Sequence, residues 1–410
     1  MRSKKSLSAR WILLSGLMVF CAVLVGPLPV QAVQKWQKTF GGPHDDEAYS
    51  VQQTMDGGYI IAGYTTTVEN DYPYRDVLLI RASASGKMLW QKTFGDQYSD
   101  EEGRCVQQTE DGGYIIVGTS TRPGDVEVYL IKTDNKGDAV WQRKFGGAGW
   151  DEGYFVQQTD DGGYIVAGST NSYGAGGYDA YLLKTDANGK KIWRRTYGGP
   201  AHDYGKSVQQ IKDGGYILAG ATGSYGAGGM DVYLVKTDDR GKRVWQRTFG
   251  GQIGDLDVGY SVRQTEEGEY IIAGSINEWG STSNVYLIHT TQWGKNAWYR
   301  TYGDAGGRDT GYCVQQTKDG GYVVAGHRDS NGTSPHGVYL IKTDFFGNNP
   351  LEKTFAEGES WNSAASGYSV QQTADGGYII AGYTWSSARG SKDVYLIKTD
   401  VRGNAGDLPQ

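Results

Sequence analysis

An all-β fold, a seven-bladed β-propeller with four antiparallel strands per blade, is predicted by three observations. One motif recurs seven times, each copy divides into four strand-length pieces, and the first and last pieces are complementary parts of one copy. The phrase S-V-Q-Q-T and its variants place a Val at 51, 106, 156, 208, 262, 314 and 370, at intervals of 50 to 56 residues. After each come D-G-G-Y-I-I-A-G, then D-V-Y-L-I-K-T-D, then G-x-x-x-W-x-x-T-F-G, or close variants.

Each piece has a physical reason to be a strand. Strand a is V-Q-Q-T, strand b Y-I-I-A-G, strand c V-Y-L-I-K-T and strand d W-x-K-T-F. The D-G-G between a and b supplies residues that accept positive φ, as a tight hairpin needs. The T-D-x-x-G between c and d reads as a longer hairpin. Strands b and c are apolar on consecutive residues, as in Ile115-Ile116-Val117 and Tyr129-Leu130-Ile131, so both faces of each sheet are expected to be covered. A solenoid needs polar end caps. This chain instead starts with an orphan strand d, Lys35-Trp36-Gln37-Lys38-Thr39-Phe40, and ends on an unpartnered strand c, Tyr395–Asp400. Joining the two closes the ring and removes its open edges. The domain boundaries expected are a signal peptide at 1–32, one propeller at 33–404 whose last blade is 33–41 plus 365–404, and a short tail at 405–410.

The leader is read from Arg2, Lys4, Lys5 and Arg10, the apolar run Trp11–Val25, and Val30-Gln31-Ala32 before the cleavage point. The run is short for a bilayer span, and Phe20 before Cys21 argues against lipidation. A retained membrane anchor is the alternative. Cleavage takes the net charge from −6 to −10. An acidic exported chain is a poor partner for nucleic acid or anionic lipid. The expected location is secreted or cell-surface, with no membrane insertion after cleavage and a monomeric state.

The repeats resemble the propeller superfamily that includes WD40-like and quinoprotein-like (PQQ) domains. Units such as Ser172–Asp186 look like propeller repeats of secreted or surface proteins of bacteria and archaea. Asp186-x-x-Gly189-x-x-x-Trp193 is similar to the tryptophan-docking motif of quinoprotein propellers, one residue short. Seven blades instead of eight and no Cys-Cys pair depart from that family, so no PQQ is expected. The resemblance implies a fold and leaves the activity open.

Repetition sorts residues by role. Gln53, Gln108, Gln158, Gln210, Gln264, Gln316 and Gln372 occur in every blade and are expected to bridge to backbone of the adjacent blade. Trp90, Trp141, Trp193 and Trp245, with Trp36 and Trp298, are expected to pack between blades, and the Asp after strand c to cap its turn. Asp46, Glu101, Asp151, Asp203, Asp257 and Asp309 precede strand a. Asp76, Glu127, Asp179, Asp231 and Asp393 precede strand c. Each is expected to tie the d–a and b–c loops of its blade together. Ca²⁺ binding at Asp151, Asp179, Asp203 and Asp231 is the alternative, without an Asp-x-Asp-x-Asp-Gly loop to support it. No other cofactor is expected, and Cys105 and Cys313 should be buried free thiols.

Function should sit where the sevenfold symmetry breaks. The d–a and b–c loops share one face and carry the candidate ligand residues Trp150, Trp279, Trp361, Trp385, Tyr173, Tyr225, His44 and His202. Aromatic rings stack on sugar faces and carboxylates accept sugar hydroxyls, so the ligand class expected is a glycan or an extracellular protein. A non-enzymatic binding or scaffold module is the first reading. A polysaccharide hydrolase or lyase is the second, although Glu278, Glu357 and Glu359 form no recognisable acid–base pair. A purely structural surface or adhesion component is the third.

Overall fold

The computed structural model describes residues 34–69, 72–251, 255–278, 282–304, 306–329, 336–356, 365–386 and 390–407, and every helix-or-strand element among them is a β-strand. The predicted leader lies outside these residues. Blade 3 shows the unit: strands Asp151–Gln158, Tyr164–Thr170, Asp179–Thr185 and Lys191–Tyr197 pair antiparallel in sequence order. Seven such sheets follow one another, and blade 4 adds a two-residue parallel strand, Asp255–Leu256, beside Gly229–Thr237. In blade 7, Trp36–Phe40 pairs with Ser391–Thr399 from Trp36↔Lys398 to Phe40↔Val394, so the orphan strand d closes the ring.

The consecutive apolar residues of strands b and c now have their reason. In blade 3, Ile165, Ala167, Ala180 and Leu182 face Val208, Tyr216, Leu218, Tyr233 and Val235 of blade 4. The alternate residues Tyr164, Val166, Tyr181 and Leu183 face Val117, Val128 and Leu130 of blade 2. Each sheet is thus one wall of two cores, and each fully buried aliphatic side chain stabilises by roughly 1.5–3 kcal/mol.

The strand d Trp stitches neighbours together. Trp193 of blade 4's predecessor meets Tyr216 edge-on at 5.9 Å between ring centres, and Trp36, Trp90, Trp141 and Trp245 repeat the contact with Tyr59, Tyr114, Tyr164 and Tyr270. The same rings cover the c–d turn glycine of the next blade: a Cβ at Gly241 (φ +72°) would lie 2.8 Å from Trp193. The turn itself is capped as expected, Asp186 Oδ1 accepting the N–H groups of Asn188 (2.9 Å) and Lys190 (2.8 Å).

Candidate ligand face and central channel

Seven strands a surround the axis and are laced by their glutamines. The second Gln of each pair accepts from the a–b turn of the preceding blade: Met55 N–H to Gln108 Oε1 (2.9 Å), Glu110 to Gln158 (2.9 Å), and around the ring to Ala374 N–H and Gln53 (2.8 Å). Asp160, Lys212, Glu266 and Lys318 donate to Gln210, Gln264, Gln316 and Gln372 in the same way. The first Gln accepts from the following blade, as when Gln157 Oε1 takes the Gln210 N–H at 2.7 Å. Where most blades have Ser, Cys105 Sγ approaches the Val156 carbonyl at 3.7 Å and Cys313 Sγ that of Val370 at 3.6 Å. Both thiols are free, but only Cys105 is buried as expected; Cys313 is half-buried.

Each strand a also carries a β-bulge, at the residue between a small residue and the Ser, Cys or Phe before the invariant Val. The bulged residues are Tyr49, Arg104, Tyr154, Lys206, Tyr260, Tyr312 and Tyr368. All seven line one cavity of about 600 Å³ along the axis. Because the bulge lies in the first half of strand a, these residues form a collar at the end from which the d–a and b–c loops emerge. Their contacts run from one to the next: Tyr260–Tyr312 5.1 Å, Tyr312–Tyr368 5.0 Å, Tyr368–Tyr49 5.1 Å between ring centres. Arg104 then lies over Tyr49 at 4.4 Å, and Lys206 Nζ over Tyr154 at 3.5 Å. Burial pushes the Lys206 ammonium down to about 8, against the pull of Glu152. Strict alternation would set the bulged residue and Val on one face of the strand. The extra residue re-aims it, which sequence periodicity does not reveal. The signal was present nonetheless, in a repeated column reading Tyr, Arg, Tyr, Lys, Tyr, Tyr, Tyr.

Outside the collar, the loop carboxylates serve backbone and hydroxyl donors. Asp151 Oδ2 accepts from the Gly147 N–H (2.9 Å) in the d–a loop and the Ser172 hydroxyl (2.6 Å) in the b–c loop. Asp203 repeats this with Gly199 and Ser224. Asp179 and Asp231 accept only from their own b–c loops, at Ala175 and Ala227, so the tie between loops comes from the series before strand a. The second series instead faces the next blade. Asp179 and Asp203 close on Gly198, Asp231 and Asp257 on Gly250, and a Cβ at either glycine would collide with both carboxylates. The junction of blades 6 and 7 has neither acid: Gly337 of blade 6 and Ala365 of blade 7 stand there, and the glycine is replaced by Ala356. Among the described residues no group of three or more His, Cys, Asp or Glu has a geometry suited to a metal ion.

Of the eight candidate ligand residues, the six that are described form no single cluster. Trp279 and Trp361 lie outside the described residues. Trp150 is 51% exposed and donates its backbone N–H to Asn171 Oδ1, so the loop is held while the indole stands open to solvent. Tyr173 and Tyr225 are half-buried with their hydroxyls donated to the Gly146 and Gly198 carbonyls, and Arg194 covers Tyr173 at 3.6 Å. They hold loops. His44 is exposed, and Trp385 is half-buried opposite Lys392. His202 groups with Tyr178 and Tyr204, at 5.7 and 6.2 Å, and its Nδ1 accepts the Tyr178 N–H. Two exposed aromatics join the face, Tyr72 and Tyr98. Tyr98 adopts φ +76°, a strained value for a bulky residue.

No family model and no curated protein matches this sequence. Solved structures share its fold at low identity. The WD40 domain of Neurospora crassa Pan2 superposes with TM-score 0.53 and 10% identity over 88% of this chain and 91% of that one. The polysaccharide lyase Uly1 gives 0.51 and 12% over 92% and 94%. Puromycin hydrolase gives 0.52 and 13% over 88% of this chain and 56% of that one. WD40-like propellers and enzymes therefore share the architecture, and the likeness extends to the fold alone.

Proposed function

We propose that this chain is an exported propeller that works as a binding module, its ligand held at the channel mouth on the d–a/b–c loop face. The collar carries this reading: seven blades direct one large side chain each into a single cavity, and the cavity has the volume of a small-molecule site. Rigid strands, not loops, set those positions, which favours a preorganised site. The exposed rings of Trp150, Tyr72 and Tyr98 extend it outward. Glycan is the ligand class that suits a surface of tyrosine and tryptophan faces.

A polysaccharide-acting enzyme is the second reading, favoured by one observation. Lys206 is an amine held near neutrality, 3.5 Å from the Tyr154 ring, and such a group serves as a general base.

A glycan array probed with the purified protein tests the first reading. Tyr312→Ala and Tyr368→Ala should abolish the signal, while Trp293→Ala and Phe346→Ala in the c–d turns of the opposite face should leave it intact. Loss of signal with the opposite-face variants alone would move the site and sink the proposal. Product release from a bound polysaccharide, lost in Lys206→Gln, would favour the enzyme.

A further inference from the structure

Charge is segregated along the axis. Arg104, Lys206, Lys212, Arg263 and Lys318 line the channel against one acid, Glu266, in a chain with 40 basic and 46 acidic residues. The acids behind the collar do not cancel this. Glu102 is shared between Arg75 and Arg104, and Glu152 accepts the Tyr154 hydroxyl at 2.6 Å. Lys206 makes no ion pair or hydrogen bond among the described residues; its Nζ lies over the Tyr154 ring and the residue lines the channel.

The lacing adds a second donor set. Gln52, Gln107, Gln157, Gln209, Gln315 and Gln371 each commit Oε1 to the next blade's backbone N–H. Among the described residues their Nε2 groups take no protein partner, and all six residues line the channel. Each therefore brings two N–H donors to the channel lining, with one of its Oε1 lone pairs already engaged. In blade 5 the same column holds Arg263, a side chain with donors alone. A narrow passage lined by amide donors and cations carries positive potential, which concentrates anionic ligands and repels other cations.

We propose that the central channel binds an acidic saccharide, its carboxylate or sulfate held by Arg104, Lys206 and Arg263 and the glutamine amides, its ring faces by the collar tyrosines. This rests on the binding-module reading and names its ligand. The cations sit where the repeat has Tyr in five blades and Gln in six, so each can be changed to a residue that the same site already accepts in a neighbouring blade.

Calorimetric titration with trigalacturonate, a sulfated galactose trimer and neutral galactotriose tests it, using the full protein and the variants Arg104→Tyr, Lys206→Tyr and Arg263→Gln. At least one acidic trimer should bind, weakening by roughly tenfold in each variant and as salt rises, with the melting temperature held within a few degrees. Which of the two binds identifies carboxylate or sulfate as the source. Affinity should also fall as pH rises through about 8, where Lys206 loses its charge. Galactotriose binding as tightly as the acidic trimers, with no change in the variants, would overturn the ligand class while leaving the binding module standing. If the array shows glycan binding that Trp150→Ala removes and the three cation variants do not touch, the channel is the wrong site. No saccharide bound on the array or in the calorimeter would overturn both readings.

Discussion

Near the end of strand c, six blades place a basic residue that folds back to its own a–b turn. Lys184 Nζ bonds the Thr185 carbonyl (3.0 Å) and Asp161 (2.9 Å), and Arg81, Lys132, Lys236, Lys342 and Lys398 meet Asp56, Asp111, Asp213, Asp319 and Asp375 likewise. The cation occupies the space that a Cβ on the second turn glycine would need: at Gly163 a methyl would lie 2.6 Å from Lys184 Nζ and collide with the Thr185 carbonyl. Blade 5 changes all parts together, with Glu267, Glu269 and His289 replacing Asp, Gly and Lys, and His289 stacked on Trp298 at 5.0 Å. Gly163→Ala should therefore cost about 1–3 kcal/mol, the range of an overpacked site, measured by denaturant midpoint. A neutral result would mean that the lysine moves aside freely. This co-variation within one chain was legible from the sequence, because seven copies act as seven trials of one environment. The collar was legible only as a repeated column of large aromatic and basic residues, and not as a lumen-facing set, because a single-residue bulge leaves no mark in the period of the strand.

Between elements, the seams carry the blade-to-blade energy and two of them titrate. Trp193 presses on Gly241 and Tyr216 of the next blade, and blade 6 fills the same place with Leu351, which meets Gly403. Trp193→Leu should thus cost less than Trp193→Ala, the latter by about 2–4 kcal/mol; equal losses would show that the ring contributes nothing beyond its bulk. On the loop face, burial pushes the carboxyls of Asp257 and Asp309 up to about 6 against backbone N–H bonds, from Asn277 and Gly251 to Asp257 and from Asp304 and Asp329 to Asp309. Folded values above the unfolded 3.8 mean that the native state binds the extra proton. Their contribution is greatest below about pH 4 and is lost as pH rises through about 6, on the order of 1–3 kcal/mol for each. The double variant Asp257→Asn/Asp309→Asn should flatten the stability change between pH 4.5 and 7 relative to wild type. A slope left unchanged would place the titration elsewhere. The loops that hold these acids read as variable from sequence, yet which aromatic rings they free, Trp150 but not Tyr173 or Tyr225, depends on hydroxyl-to-carbonyl bonds that no local pattern encodes.

At the scale of the ring, everything depends on one short strand from the far end of the chain. Trp36 is 8% exposed in a core with Val394 and Leu396 of its own blade and Tyr59, Ile61, Leu78 and Ile80 of blade 1. Lacing crosses the same seam, Gln371 and Ser369 accepting from Gln53 and Val51. The C-terminal segment ties down the closing strand within blade 7, as Gln37 Nε2 donates to the Gly406 carbonyl at 2.6 Å, so trimming after Gly403 should lower the melting temperature by a few degrees. Deleting residues 33–41 removes the outermost strand of blade 7, opens the edge of Ser391–Thr399, and should cause large destabilisation and association through that edge. The turn after blade 7's strand c is already built for the missing connection. Asp400 Oδ1 accepts from Arg402 and Asn404 (2.9 Å each), the same cap that leads into strand d elsewhere. Moving residues 35–41 to follow Asn404 should therefore restore a monomeric ring with near-native melting temperature, read by size-exclusion chromatography and calorimetry. A permutant as unstable as the deletion would show that the closing strand acts through its place in the chain and not through its place in blade 7.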